Sequence, residues 1–268
     1  MIGIVAALRQ ELSLLIRHVR NPVPKKAGGL DMVTGRLNDV EVAIASTGIG
    51  KVRAAAATQA LIDAFAPGEV WCIGLGGALD EKLKAGDVII ADELYQHDLD
   101  LSGGSRVAAL LTKGRGASLV KCDKRLVALA KGDCHHYGAQ TPHRGGQLVD
   151  GDCHLSHRKR LTPNQIYVGR IVTGDRAVLK TKDRKELARR TRALCVEMEG
   201  AAVGYTCARN RIPFIVIRAV SDTAGGSALL QFAKNAKRVA QIPQQIALSM
   251  LHRRGTENAE ENEGRNDG

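Results

Sequence analysis

The chain has 268 residues, of which 44% are hydrophobic and 25% charged, with a formal net charge of +11; this is the composition of one globular α/β-sized domain with a substantial core. No apolar run approaches the ~18 residues of a membrane span, and Lys and Arg are spread along the chain without the interleaved aromatics of a base-stacking surface, so neither membrane nor nucleic acid is expected as a partner. Aromatic residues make up only 3%, so Ala, Val, Ile and Leu must fill the core.

Ile2 to Ala7 reads as a buried first strand rather than a signal peptide, because no basic segment leads into the apolar run; a cytoplasmic location is expected. Leu8 to Val19 carries Leu12, Leu15 and Val19 at helical spacing. Glu11 falls in the first turn of that helix, where the dipole favours a carboxylate and lowers its pKa. Strands are expected near 31–36 and 40–46, joined by a hairpin turn at Leu37-Asn38-Asp39. Thr47-Gly48-Ile49-Gly50-Lys51 then opens an Ala-rich helix to about Phe65. A glycine turn at a helix start can hold an anion through its N–H groups, which would suit phosphate. Val70 to Ile73 is a buried strand, followed by a loop, Gly74-Leu75-Gly76-Gly77-Ala78, whose glycines let the backbone approach a flat ligand.

Val88 to Ala91 is another strand, and His97-Asp98-Leu99-Asp100 has metal-ligand residue types. Cys134, His135, His136, His143, Cys153, His154 and His157 could supply a tetrahedral zinc site. Their spacing matches no standard pattern, however, and the surrounding Gly, Gln and Asp read as a polar loop. Ile166 to Val172 is a strand ending in Thr173-Gly174-Asp175-Arg176-Ala177-Val178, followed by a basic helix over 183–192. The apolar stretch Ala193 to Met198 leads into a helix over 199–210, and Phe214 to Ile217 is a short β-branched strand after Pro213. A closing amphipathic helix spans 231–251. The domain is expected over 1–253, with an acidic, Asn- and Gly-rich tail over 254–268 that reads as disordered. Strands alternating with helices argue for a single α/β domain with a central mixed sheet flanked by helices. The six cysteines lack short-spaced pairs, and Cys72, Cys195 and Cys207 sit in apolar contexts as reduced core thiols do.

The chemistry-bearing residues gather near the end of the chain. The strand at Phe214 breaks into Arg218, Ser221 and Asp222, at the carboxyl end where open α/β sheets place ligands. Glu197 and Glu199 flank Met198 just upstream. A carboxylic acid against an apolar wall can keep its proton near neutral pH and give it to a leaving group. A neighbouring carboxylate can grip sugar hydroxyls as positive charge builds on the ring, which is what cleavage at an anomeric carbon needs. The same residues would also suit a plain buried strand end with an Arg218–Glu ion pair.

Val196-Glu197-Met198-Glu199, with Arg218-Ala219-Val220-Ser221-Asp222, resembles the paired motifs of the 5′-methylthioadenosine/S-adenosylhomocysteine nucleosidases, within the purine nucleoside phosphorylase family. The opening Gly3-Ile4-Val5-Ala6-Ala7-Leu8-Arg9-Gln10-Glu11 matches the start of that family without gaps. The resemblance implies a nucleoside phosphorylase-like fold and hydrolysis of the N-glycosidic bond of 5′-substituted adenosines. Asp222, helped by Ser221, would protonate the purine; Glu11 would activate water; Glu199 and Met198 would hold the ribose, with Glu197 also binding substrate and Arg218 fixing the carboxylates. Gly77 and Val178 would meet the base and ribose, and Ile49 the 5′ substituent. The resemblance also implies a homodimer acting on a small-molecule nucleoside, with no metal or organic cofactor.

Some positions depart from the family's pattern. Arg9 and Gln10 replace acidic residues, Leu75 and Ala78 alter the glycine stretch, and Ala177 stands where an aromatic stacks on the purine. Residues 101–121 lack the aromatic and proline that cap the 5′ group. They leave open a phosphorylase, hinted at by Arg9 beside Glu11, or a hydrolase of another adenosyl or futalosine-like nucleoside. A catalytically silent nucleoside-binding protein is the reading from a different class.

Overall fold

The computed structural model describes residues 1–99, 119–135, 165–222 and 235–266. Its centre is a ten-stranded mixed sheet. In chain order the strands are β1 (Ile2–Ala6), β2 (Arg20–Ala27), β3 (Leu30–Leu37), β4 (Val40–Ser46), β5 (Glu69–Ala78), β6 (Val88–Gln96), β7 (Leu119–Lys121), β8 (Ile166–Thr173), β9 (Cys195–Glu197) and β10 (Phe214–Asp222). The helices are α1 (Ser13–His18), α2 (Lys51–Phe65), α3 (Lys124–His135), α4 (Thr181–Thr191), α5 (Gly200–Arg209) and α6 (Gln241–Asn266), with a 3₁₀ turn at Arg9–Glu11.

Strand order runs β10-β6-β8-β9-β5-β1-β4-β3-β2, and β10 also pairs with β5. That extra pairing closes β5, β10, β6, β8 and β9 into a ring, from which β1, β4, β3 and β2 extend as an open wing. Both faces of the central strands are covered, as their continuous apolar runs require. On β10, Ile215, Ile217 and Ala219 pack in one cluster with Ile242, Ile246 and Met250 of α6. Phe214, Val216 and Val220 alternate to the other face, against Leu61 of α2 and Val203 and Cys207 of α5. The single tryptophan, Trp71 on β5, is fully buried. Cys72, Cys122, Cys195 and Cys207 are buried free thiols.

Several boundaries differ from the sequence expectation. The first helix is a 3₁₀ turn followed by a separate six-residue α1. The glycine stretch Gly74 to Ala78 is the end of β5 rather than a loop, every residue buried, because β10 and β9 pair with it on either side. Likewise β10 continues as strand through Arg218 to Asp222. The hairpin between β3 and β4 turns where expected, with Asn38 and Asp39 both at positive φ, as a tight hairpin requires. Helix α6 carries its backbone through Asn266, into the segment that composition assigns to a disordered tail. Glu and Ala there extend a helix already nucleated by packed turns, and composition cannot tell a solvated helix end from coil. The Cys/His stretch from His136 to His157, and the 5′ loop over 101–118, lie outside the described residues.

Gly76 shows how tightly the ring is packed: a Cβ there would collide with the Cys195 Sγ and lie 3.3 Å from the Val196 carbonyl oxygen. Gly76→Ala is therefore expected to lower stability by about 1–3 kcal/mol, and Cys195→Ala in the same chain to recover part of the loss. Denaturant unfolding of the single and double variants checks this; equal stability of Gly76→Ala and the parent would contradict it.

Candidate active site

The carboxyl ends of β5, β8, β9 and β10, together with the turn after β1, surround a cavity of about 280 Å³. Glu11, Glu197, Glu199 and Asp222 all line it, and all four are buried. The expected residues Ile49, Gly77, Val178, Met198 and Ser221 line it too. Arg218 does not stand among the lining residues; it lies behind the wall, tied to Glu197.

That tie organises the site. Arg218 Nη2 donates to Glu197 Oε2 at 2.6 Å and to the Cys72 sulfur at 3.2 Å. The same Glu197 oxygen accepts the backbone N–H groups of Glu199 and Gly200, at 2.9 and 2.7 Å, which open α5. The other oxygen accepts the Thr173 hydroxyl, on the strand residue registered opposite it. Expected among the substrate-binding residues, Glu197 has both oxygens engaged by the protein, fixing the helix start with its charge at the positive end of the dipole.

Glu199 is thereby placed at the N-cap position of α5, facing the cavity. Its Oε1 accepts the Gly50 N–H at 2.8 Å. Burial, reinforced by the nearby Glu197 charge, pushes its carboxyl up to about 7, against the opposing pull of Arg218 and the Gly50 N–H. Glu11 closes the 3₁₀ turn rather than opening a long helix. Its carboxylate accepts the Leu8 N–H at 2.8 Å and the Leu75 N–H at 3.0 Å. The sequence reading placed its pKa low on a helix-dipole argument; burial instead raises it, with the Leu8 N–H and the Arg218 charge opposing. Three residues of 3₁₀ turn supply little dipole, and desolvation of a buried carboxylate outweighs it.

Asp222 Oδ1 accepts the Ser221 hydroxyl at 2.7 Å, and Oδ2 is ion-paired with Arg184 Nη2. Nothing in the sequence reading singled out Arg184. It belongs to the basic helix α4, but its buried companions on that helix are Leu187 and Thr191, at the i, i+3, i+7 spacing of an inward face; that spacing was the available signal. Arg184 Nε also donates to the Val178 carbonyl at 2.7 Å, so only the N–H of Val178 remains from the main-chain pair expected to read a base edge.

The glycine turn before α2 does not present an open anion seat. Gly48 and Gly50 hold positive φ, which aims the helix N-terminus at the site, but two of its donors already meet protein carboxylates. The Gly50 N–H goes to Glu199, and the Lys51 N–H to Asp175 Oδ1 at 2.8 Å. Asp98, from the string with metal-ligand residue types, accepts from Lys51 Nζ at 2.6 Å and from the Asp175 N–H at 2.8 Å, binding the turns after β6 and β8 to α2. Arg9 is exposed and lines a separate groove with Lys25 and Lys26, away from the carboxylates. Ala177 forms part of the cavity wall.

Comparison with known proteins identifies the family. A family model described as the phosphorylase superfamily matches residues 1–252. The chain is 32% identical over 251 residues to a 5′-methylthioadenosine/S-adenosylhomocysteine nucleosidase of Aeromonas salmonicida, covering 93% of this chain and 98% of that one. It superimposes with a TM-score of 0.77 at 28% identity on a 5′-methylthioadenosine/S-adenosylhomocysteine nucleosidase of Neisseria meningitidis in complex with methylthio-immucillin-A, covering 94% of this chain and 98% of that one. A futalosine hydrolase of Helicobacter pylori superimposes with a TM-score of 0.75 at 28% identity, covering 93% of this chain and 96% of that one.

The raised pKa of Glu199 has a consequence for stability. Between the ordinary value of 4.5 and about 7, the folded chain holds a proton on this carboxyl that the unfolded chain has released. Its stabilising contribution is therefore full below the ordinary value and is lost as pH rises through about 7. Glu199→Gln removes that dependence, so the fall in unfolding free energy from about pH 5 to about pH 8 should be smaller in the variant than in the parent. Identical pH profiles would show that Glu199 does not hold its proton.

Proposed function

The chain belongs to the phosphorylase superfamily, and from that premise we propose that it hydrolyses the N-glycosidic bond of 5′-substituted adenosines, methylthioadenosine and adenosylhomocysteine, releasing adenine. The observation that carries hydrolysis over phosphorolysis is the charge of the cavity wall. Glu11, Glu199 and Asp222 all face it, and the two arginines lining it are paired, Arg184 with Asp222 and Arg176 with Asp183. The Gly50 and Lys51 N–H groups at the start of α2 are taken by Glu199 and Asp175. Among the described residues, a phosphate dianion would meet the carboxyl groups of Glu11, Glu199 and Asp222 and arginines that are already paired, whereas water meets a base.

In this reading Asp222, held by Ser221, carries a proton to N7 of the purine. The electron pair of the C1′–N9 bond passes into the base, and the sugar takes on oxocarbenium character. Glu11, whose raised pKa makes it a stronger base, removes a proton from the water that attacks C1′. Glu199 accepts from the ribose hydroxyls, with Met198 packed beside it. The Val178 N–H meets the base, Gly77 leaves room at the cavity wall, and Ile49 at the rim meets the 5′ substituent. We place the enzyme in the cytoplasm as a homodimer whose chemistry draws on side chains.

Asp222→Asn keeps the shape of the acid but cannot deliver a proton, so kcat should fall ~10²–10⁴-fold with substrate affinity changed less than about tenfold. Glu11→Gln should be similarly slow, and phosphate should not restore it. Base release assayed with methylthioadenosine, in buffer with and without phosphate, reads both. An Asn variant near the parent rate would remove Asp222 from the acid role, and phosphate rescue yielding a ribose 1-phosphate would establish a phosphorylase.

A further inference from the structure

We propose that Arg184 is a positioning residue for the acid step, its guanidinium receiving the negative charge that forms on Asp222 as the proton leaves for the base. This rests on the reading of Asp222 as the acid. On α4, Lys182, Lys185, Arg189 and Arg190 are exposed, while Arg184 is turned inward and only 3% exposed. Its guanidinium is fixed on every arm: Nε donates to the Val178 carbonyl at 2.7 Å, Nη1 to the Ala78 carbonyl at 3.3 Å, and Nη2 to Asp222 Oδ2.

Two further observations place it in the chemistry rather than in the framework alone. Arg184 lines the same cavity as Glu11 and Glu199. The wall is also built around it: a Cβ at Gly77 would lie 2.9 Å from Arg184 Nη2, so the glycine leaves space that the guanidinium uses. A buried ion pair is a weak source of stability, since desolvation of both charges offsets their attraction. A fixed cation aimed where charge develops is, by contrast, a strong device for lowering a barrier.

The contact with Arg184 suits the carboxylate that proton delivery would leave on Asp222. In the step itself the Asp222 O–H bond breaks and the N7–H bond forms, while the C1′–N9 electron pair passes to the purine. The carboxylate left behind would otherwise face Glu11, Glu197 and Glu199. Arg184 Nη2 already stands against the oxygen that carries the charge. The proton for the next cycle comes from solvent while the cavity is open.

The test compares Arg184→Met and Arg184→Lys with the parent on two leaving groups carried by the same 5′-methylthioribosyl unit, adenine and p-nitrophenolate. The second departs as a stable anion and needs no acid. Arg184→Met is expected to lower kcat for adenine release at least ~10-fold with KM within ~3-fold, part of the range of acid catalysis. Release of p-nitrophenolate, which also reports that the site is folded, should change less than ~3-fold. Arg184→Lys should recover part of the adenine rate. In an Asp222→Asn background, Arg184→Met should cost less than ~2-fold more, because the two residues act as one unit. Equal losses for both leaving groups, or a full loss persisting beside Asp222→Asn, would make Arg184 structural and overturn the inference. If Asp222→Asn alone retained the adenine rate, the acid assignment would fall, and the role of Arg184 with it.

Discussion

The buried pair between Arg218 and Glu197 is the contact on which the site depends. At 2.6 Å, with both side chains almost wholly out of water, it joins β10 to β9 across the ring. The same Glu197 carboxylate anchors the first N–H groups of α5 and the Thr173 hydroxyl of β8. Breaking such a pair by removing one partner leaves an uncompensated buried charge, at a typical cost of about 3–5 kcal/mol. Replacing both partners by apolar residues could be far less costly for stability, but the backbone donors that open α5 would then lose their acceptor. The pair therefore matters less as a source of folding energy than as the reason Glu199 stands at the cavity wall.

Around that frame the structure sorts its carboxylates by partner. Glu197 is held by a guanidinium and backbone donors. Asp222 shares a guanidinium with a hydroxyl. Glu11 has two backbone N–H groups, and Glu199 one. Burial raises the pKa of both Glu11 and Glu199, whereas Arg184 stands directly on Asp222. Like groups in one cavity are thus given different surroundings, and a site that must use an acid and a base together needs its carboxyl groups to differ.

Much of this was legible in the sequence. The apolar runs at Ile2, Val40 and Ile166 became strands close to their expected bounds, because a strand buried on both faces must read as a continuous apolar run. Those at Val88 and Phe214 began where expected but ran on to Gln96 and Asp222. Strand β2 was not foreseen: Pro22 and Pro24 argue against a strand, yet β2 is an exposed edge of the wing, where proline is tolerated. The glycine end of β5 read as a loop because its strand character comes from pairing with β10 and β9, which are distant in sequence. At the site, the motif residues Glu199, Ser221 and Asp222 line one cavity. Arg184 was not foreseen, since a lone basic residue in a basic helix looks solvated until the helix is docked. The carboxylate partners of the Gly50 and Lys51 N–H groups were equally hidden, because Asp175 and Glu199 reach them from distant segments.

A cavity walled by Glu11, Glu199 and Asp222, with the Gly50 and Lys51 N–H groups already taken, is proposed to admit water and not phosphate as the nucleophile. The direct measurement is the mass of the sugar released from methylthioadenosine in ¹⁸O-labelled water containing phosphate. Hydrolysis gives free 5-methylthioribose carrying one ¹⁸O at C1, formed at a rate independent of phosphate. Recovery of the sugar as its 1-phosphate, without the solvent label, would contradict it.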